Sequence, residues 1–387
     1  MLEGVARIPR AEWNALVGDE SPFLEWEWLA SLEEAGVVGA GEGWLPRPLV
    51  AREGGRLLAA CPVYAKAHGE GEFVFDFAWA EAAERAGIPY YPKLLVGVPF
   101  TPVGGARFLV APGEERGAWT RRLAAALREI CARHGFSGAH VNFCREDERD
   151  ALAGEGFLPR VGIQYHWRNA GYARFEDYVA ALRSKRRNQL RRERACVREQ
   201  GIRVEALAGA EIPDELFARI YACYRSNVDA HAWGRRYLNA RFFELLRERF
   251  RERLCFVVAR RGAEVVAGTL NVHKGKAFYG RYWGALEPVR HLHFDVCYYA
   301  AIEWCIGRGI ERFEPGAGGS QKLLRGFDPQ PTWSLHHLVE PRLARAVARH
   351  LELERADAGR ALAALREFSA LRATRAGERA RDAGRLR

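Results

Sequence analysis

The residues with most chemistry to offer fall in one stretch, Glu314-Pro-Gly-Ala-Gly-Gly-Ser-Gln-Lys-Leu-Leu-Arg-Gly-Phe. A glycine-rich loop leaving a strand lets backbone N–H groups approach an anion or a developing oxyanion. Lys322 and Arg325 follow the glycines closely. The stretch lacks GxxxxGK[ST], and no ordered βαβ unit surrounds it, so it is neither a Walker loop nor a dinucleotide fingerprint. A tight connection is the plainer explanation of such a loop; the two cations behind it point toward function. A second stretch, Arg183–Arg194, holds seven basic residues against one acid. On a helix Lys185, Asn188 and Arg192 share one face, and Arg187 and Arg191 another. Such a run is either a solvated basic face or a docking surface for the phosphates of a nucleotide or an RNA. In a third, Tyr279-Gly-Arg-Tyr-Trp-Gly, strand alternation predicts Tyr279, Arg281 and Trp283 on one face and Gly280 and Tyr282 on the other. An arginine among aromatics there must be paired or line a cleft. His291 and His293 precede a helix and could cap it or exchange protons; His336-His337 offers less. No Ser-His-Asp triad, HExxH or carboxylate cluster for a metal ion is present.

These residues need a scaffold, and the composition bounds it. The chain has 387 residues, 48% hydrophobic and 28% charged, with a net charge of 59 − 49 = +10. That is ordinary globular composition, long enough for two domains and a tail. Only six of the 59 cations are lysines, so each retained lysine is informative. A positive field suits anionic partners: nucleic acid, nucleotide or CoA phosphates. Residues 341–387 add twelve arginines against six acids. No apolar run approaches the ~18–20 residues of a membrane span, and the N-terminus lacks the pattern of a signal peptide. The eight cysteines are scattered without CxxC, which predicts reduced thiols in a cytoplasmic protein with no structural zinc.

Hydrophobic periodicity predicts a helix opened by Ser21 and Pro22, a hairpin of Leu49–Arg52 with Leu57–Tyr64, and a long aromatic, loop-rich excursion over 70–110. A helix Trp119–His134 and strands Gly138–Phe143 and Gly156–Trp167 complete the first half. The second half predicts helices Phe175–Gln200, Ile212–Arg225 and Tyr237–Arg251. A meander Leu254–Ala259, Val265–Val272, Ala277–Trp283 follows, then helix Phe294–Arg308 and strand Ile310–Glu314. Setting Gly135 against Gly309 aligns CARHGFSGAHVNF with CIGRGIERFEPGA and places His140 opposite Glu314. Meander, helix, strand, twice over, predicts a duplicated α/β fold with mixed sheets. The expected division is 1–168, 169–340 with the site, and a basic, partly disordered helical tail 341–387.

The segments SPFLEWEWLASLEEAG, GIQYHWRNAGY, LRSKRRNQLRRERACVREQGI, YGRYWGALEPVRHLHFDVCYYAAIEWCIGRGIERFEPGA and KLLRGFDP together resemble the FemAB-like family, labelled peptidoglycan biosynthesis/recognition, of predicted N-acyltransferases in the GNAT superfamily. The resemblance spans about residues 20–345 and implies two tandem GNAT-like domains. FEDYVAALRSKRRNQLRRERACVREQGIRV also resembles the start of the second domain of Fem aminoacyltransferases, which move an amino acid from aminoacyl-tRNA to an amine of a cell-wall precursor. Where the family tends to show GAQGEHK-like loops, this chain has Ser320 and Gln321. The Q/R-x-x-G-x-G/A loop by which GNAT enzymes hold CoA pyrophosphate is absent from Ala285–Asp295. That favours aminoacyl-tRNA over acyl-CoA as co-substrate, with no permanently bound cofactor. The resemblance assigns Lys322, with the amides of Gly316, Gly318 and Gly319, to the oxyanion or leaving oxygen. Glu314 would receive the amine proton, with His293 second. Lys185, Arg186, Arg187, Arg191, Arg192 and Arg325 would hold donor phosphates. A small acceptor would lodge against Asp76, Tyr90, Tyr91, Lys93 and Thr101 on the excursion, facing Tyr279, Arg281 and Trp283; a packed loop is the alternative there. An acyl-CoA-dependent N-acyltransferase and a non-catalytic tandem binding module remain the other two readings.

Overall fold

A computed structural model of the chain describes residues 1–231 and 234–372. Fourteen strands are present among them: β1 (Trp44–Pro46), β2 (Leu49–Glu53), β3 (Arg56–Cys61), β4 (Val63–Lys66), β5 (Lys93–Val96), β6 (Leu109–Val110), β7 (Gly138–Cys144), β8 (Leu158–Arg168), β9 (Ile202–Ala208), β10 (Leu254–Arg261), β11 (Glu264–Lys274), β12 (Ala277–Ala285), β13 (Arg312–Glu314) and β14 (Asp328–Leu338). Eleven form one sheet in the order β1-β4-β5-β7-β14-β8-β13-β12-β11-β10-β9, and β2-β3-β6 form a small second sheet.

The order contains a repeat. β4, β5, β7 and β14 pair antiparallel, parallel, antiparallel. β11, β12, β13 and β8 pair in the same sequence of senses. Strands β7 and β13, matched by their sequence, therefore hold equivalent positions. Each opposes its parallel partner at the matched residue, Leu95 with His140 and Tyr279 with Glu314. The last strands are exchanged: β8, from the first half, completes the second unit, and β14, from the second, completes the first. The two meet antiparallel over nine rungs, from Asp328 with His166 to His336 with Leu158.

Sequence patterning misplaced several elements. The excursion over 70–110 contains a helix, Phe77–Arg85, and the fully buried strand β5, whose four residues between Pro92 and Gly97 are too short to show a period. β14 was not expected; prolines at 329 and 331 mask it, and its edge partners come from distant sequence. The basic segment is two helices, Phe175–Ala181 and Ser184–Glu199, broken at Leu182, whose backbone is extended. Ser21 makes no side-chain cap; a single turn Pro22–Leu24 precedes the helix Trp26–Glu34. Along β12 the register slips at Arg281, so Tyr279 and Tyr282 oppose Val272 and Leu270 on one face while Trp283 opposes Thr269 on the other. The expected shared face of Tyr279, Arg281 and Trp283 is thus undone by a bulge, which inserts one residue and reverses the alternation beyond it. Residues 341–367 form one helix capped by Glu340, whose carboxylate accepts from Leu343 N–H at 2.8 Å. Its Leu343, Val347 and Leu351 are buried against Trp79, Ile88 and Tyr90. The end of the basic tail, 373–387, lies outside the described residues.

Helix Asp214–Asp229 sits unusually close to the sheet because Gly268 and Gly284 oppose each other across β11 and β12. A Cβ at 284 would lie 1.7 Å from the carbonyl oxygen of Cys223. Backbone cannot yield as a side chain does, so Gly284→Ala is expected to destabilise the protein by about 3 kcal/mol or more, the upper end of overpacking costs. Chemical denaturation of the variant measures it.

Candidate functional site

Glu314 ends β13 where that strand parts from its parallel neighbour β12. The β13–β8 register pairs Phe313 with Trp167, and the next position brings Glu314 beside His166, Oε2 to Nε2 3.7 Å. Glu314 is buried and His166 is largely covered. Neither of those two atoms makes a hydrogen bond among the described residues. On its other side Glu314 Oε1 lies 3.0 Å from Arg312 Nε, and Arg312 donates to the Tyr279 hydroxyl at 3.2 Å. Burial pushes His166 below the ordinary histidine range, the Glu314 charge opposing that shift. His166 is therefore neutral near pH 7. These residues line a cavity of about 830 Å³ between the two repeated units. Histidine 166 escaped the sequence reading, although it lies in the quoted segment GIQYHWRNAGY; only the strand exchange reveals its partner.

A smaller cavity of about 260 Å³ shares Phe143, Thr332 and Trp333 with the first and is walled by Ala317 and Gly318 of the glycine-rich loop. Lys322 lies behind the loop, buried, and donates to the carbonyls of Gly316 (2.7 Å), Ala317 (3.2 Å) and Gly318 (2.6 Å). All three of its N–H donors are engaged. Positive φ at Gly316, Gly318 and Gly319 (90°, 67° and 82°) turns the loop into that shape, which side-chain-bearing residues strongly disfavour. In a trans peptide C=O and N–H point oppositely, so the amides of Ala317, Gly318 and Gly319 face away from the ammonium. None of them donates to a protein acceptor among the described residues. Burial pushes the Lys322 ammonium down to about 8, so it stays largely charged at neutral pH.

Other expected residues are placed differently. Arg325 does not face an anion: its guanidinium donates to both carboxylate oxygens of buried Glu193 (3.1 and 3.0 Å) and to the Gln321 carbonyl (3.0 Å), and stacks 3.5 Å from the centre of Phe294. Glu193 also accepts from Tyr299 at 2.5 Å. This pair ties helix Ser184–Glu199 to the loop. On the same helix Lys185, Arg191 and Arg192 are exposed without a carboxylate partner among the described residues, and Arg186 donates to Gln189. Arg187 and Arg191 border a separate groove of about 380 Å³ with Arg194, Arg198, Phe175 and Leu190. His293 packs on Trp283, ring centres 4.6 Å apart, and burial pushes it down to about 4; it does not line the large cavity.

Of the residues expected to hold an acceptor, Asp76, Tyr90 and Lys93 form instead a buried network. Lys93 pairs with Glu72 at 3.0 Å and with Asp76, which also accepts from Tyr90 at 2.6 Å. Tyr91 packs edge-on against Tyr90. Thr101 donates to the Pro99 carbonyl at 2.9 Å, and Arg281 to that of Phe100. Of the whole set only Tyr279 reaches the large cavity. Beside the network His140 and His336 share a hydrogen bond at 2.7 Å, at the position that Glu314 and His166 hold in the other unit.

Comparison with known proteins places this arrangement. The FemAB-like family model, peptidoglycan biosynthesis/recognition, matches residues 4–373. No curated protein matches the chain by sequence. Among solved structures it is similar to FemX (TM-score 0.56, 10% identity, 88% of this chain and 98% of that one). It is also similar to the C-terminal domain of a protein assigned as a lysylphosphatidylglycerol synthetase from Agrobacterium fabrum (0.54, 11%, 89% and 95%), and to L-PGS from Bacillus licheniformis (0.50, 10%, 83% and 95%). At these identities the likeness is one of fold.

Replacing Lys322 with Met would remove the three hydrogen bonds that hold the part-buried carbonyls of Gly316, Ala317 and Gly318, each contributing about 0.5–1.5 kcal/mol. The expected result is a lower melting temperature, with backbone order at 316–319, read by NMR relaxation, falling most. Lys322→Arg is expected to share the loosened loop, because a planar guanidinium cannot converge on three carbonyls.

Proposed function

Because the chain belongs to the FemAB-like family, we propose that it is an N-acyltransferase that moves an aminoacyl group from aminoacyl-tRNA to the amine of a small-molecule or cell-wall-type acceptor. The observation that carries the proposal is the Glu314–His166 pair, which lines the large cavity and leaves Oε2 and Nε2 without a hydrogen-bond partner among the described residues. A buried carboxylate beside a neutral imidazole suits removal of a proton from an ammonium. The freed amine attacks the ester carbonyl carbon. A C–N bond forms, a tetrahedral oxyanion develops, the C–O bond to the ribose breaks, and the leaving oxygen takes up a proton. The amides of Ala317, Gly318 and Gly319 supply donors for the oxyanion. Lys322 acts through them, by holding their peptides in orientation. The exposed cations of helix Ser184–Glu199 are the donor-phosphate surface, with Arg187 and Arg191 at its groove.

The test is transfer of labelled acyl groups from charged tRNA, and separately from acyl-CoA, to a panel of amines. Glu314→Gln is expected to lower kcat by about 10²–10⁴, the usual contribution of a general base. The acid limb of kcat/KM should lie below the ordinary histidine value of about 6.5, because burial lowers His166, and His166→Gln should remove that limb. Reversing the charges of Arg187 and Arg191 should raise the donor KM and flatten its salt dependence. Turnover with acyl-CoA alone would replace the donor. Full activity in Glu314→Gln would end the assignment of the site.

A further inference from the structure

Two rungs of one antiparallel ladder face the large cavity. The first is Glu314 with His166; the second is Arg312 directly opposite Arg168. Alternation keeps these four side chains on one face, while Trp167 and Phe313 between them are buried in the core beneath. Like charges directly opposite in an antiparallel pair repel and destabilise it, so a double-arginine rung needs a counter-charge on each side. Arg312 has one in Glu314. Arg168 has none. The other cations lining the cavity are also engaged: Arg145 with Glu20 at 2.6 Å, Lys274 with Glu25 at 2.8 Å, and Lys276 with the Gly309 carbonyl at 3.1 Å. Among the described residues Arg168 is the cavity-lining cation whose side chain makes neither an ion pair nor a hydrogen bond.

We propose that Arg168 binds an anionic group, carboxylate or phosphate, carried by the acceptor whose amine sits at Glu314 and His166. One rung to the next like-facing rung is about 6.5–7 Å along a strand. The acceptor is therefore an amine with an anion roughly that far away, an ω-amino acid or an aminoalkyl phosphate rather than an α-amino acid. Exposed Asp19, Glu146 and Glu311 also line the cavity, which suits a zwitterion and disfavours a polyanion. The inference rests on the proposed placing of the amine at Glu314, but its test needs no turnover.

Calorimetry of the full chain with 5-aminopentanoate, 3-aminopropyl phosphate and n-pentylamine reads it. The wild type is expected to bind one or both zwitterions about tenfold or more tighter than pentylamine, as a charge-assisted bidentate pair predicts. Arg168→Gln should erase that preference, and Arg168→Lys should keep part of it. The exposed position makes folded variants the expectation, which melting curves check. Comparison of the two zwitterions decides between carboxylate and phosphate. Equal binding of the zwitterions and pentylamine, no binding of any, or an undiminished preference in Arg168→Gln overturns the proposal. Glu314→Gln should weaken all three probes alike. An anion preference that survives while Glu314→Gln retains full transfer would overturn the catalytic assignment alone.

Discussion

The antiparallel pairing of β8 with β14 is the constraint on which the rest of the molecule depends. Each strand leaves the unit in which its sequence lies and closes the other, so the sheet runs through both units without an internal edge. The exchange also builds the candidate site. His166 is the third residue from the end of a first-half strand, and Glu314 ends a second-half strand; they meet because β8 lies beside β13. The wall of the cavity is built from Arg312 and Glu314 of β13, His166 and Arg168 of β8, Tyr279 of β12 and Trp333 of β14. Equivalent geometry in the first unit is filled by the His140–His336 bond and the buried Lys93 network. One unit thus keeps an open wedge, and the other has closed its own with polar side chains.

Buried charge is the recurring material of this structure, and it serves mostly for support. An unpaired buried charge costs several kcal/mol, so Lys93, Arg325 and Lys322 are each surrounded by acceptors. The Arg325–Glu193 pair joins the basic helix to the loop that carries the free amides. Its bidentate contact lies inside an aromatic cage of Phe294, Tyr298 and Tyr299.

This explains what was legible in the sequence. Residue type and spacing picked out Glu314, the glycine loop and the basic helix, because chemistry-bearing residues cluster locally there. The repeat of helix and strand was legible too, since Gly135 and Gly309 both stop a helix before a buried strand. Direction was not. Nothing local says whether a lysine points at a ligand or at three carbonyls of its own loop, and Lys322 does the latter. Nothing local says that β14 belongs between β7 and β8. His166 and Arg168, which acquire meaning only from strands about 145 residues away in sequence, were accordingly invisible, and the bulge at Arg281 reversed a face that alternation had assigned.

The strand exchange has a further consequence for how the chain reaches this state. While the protein is being synthesised, β8 emerges with both edges bare, because β13 and β14 are encoded far downstream. An eleven-residue strand with unpaired edges is a template for intermolecular pairing, and late closure by non-local partners is slow. The nascent first half must therefore wait, incompletely sheeted, in the condition most prone to aggregation, and expressing either half alone would make that condition permanent.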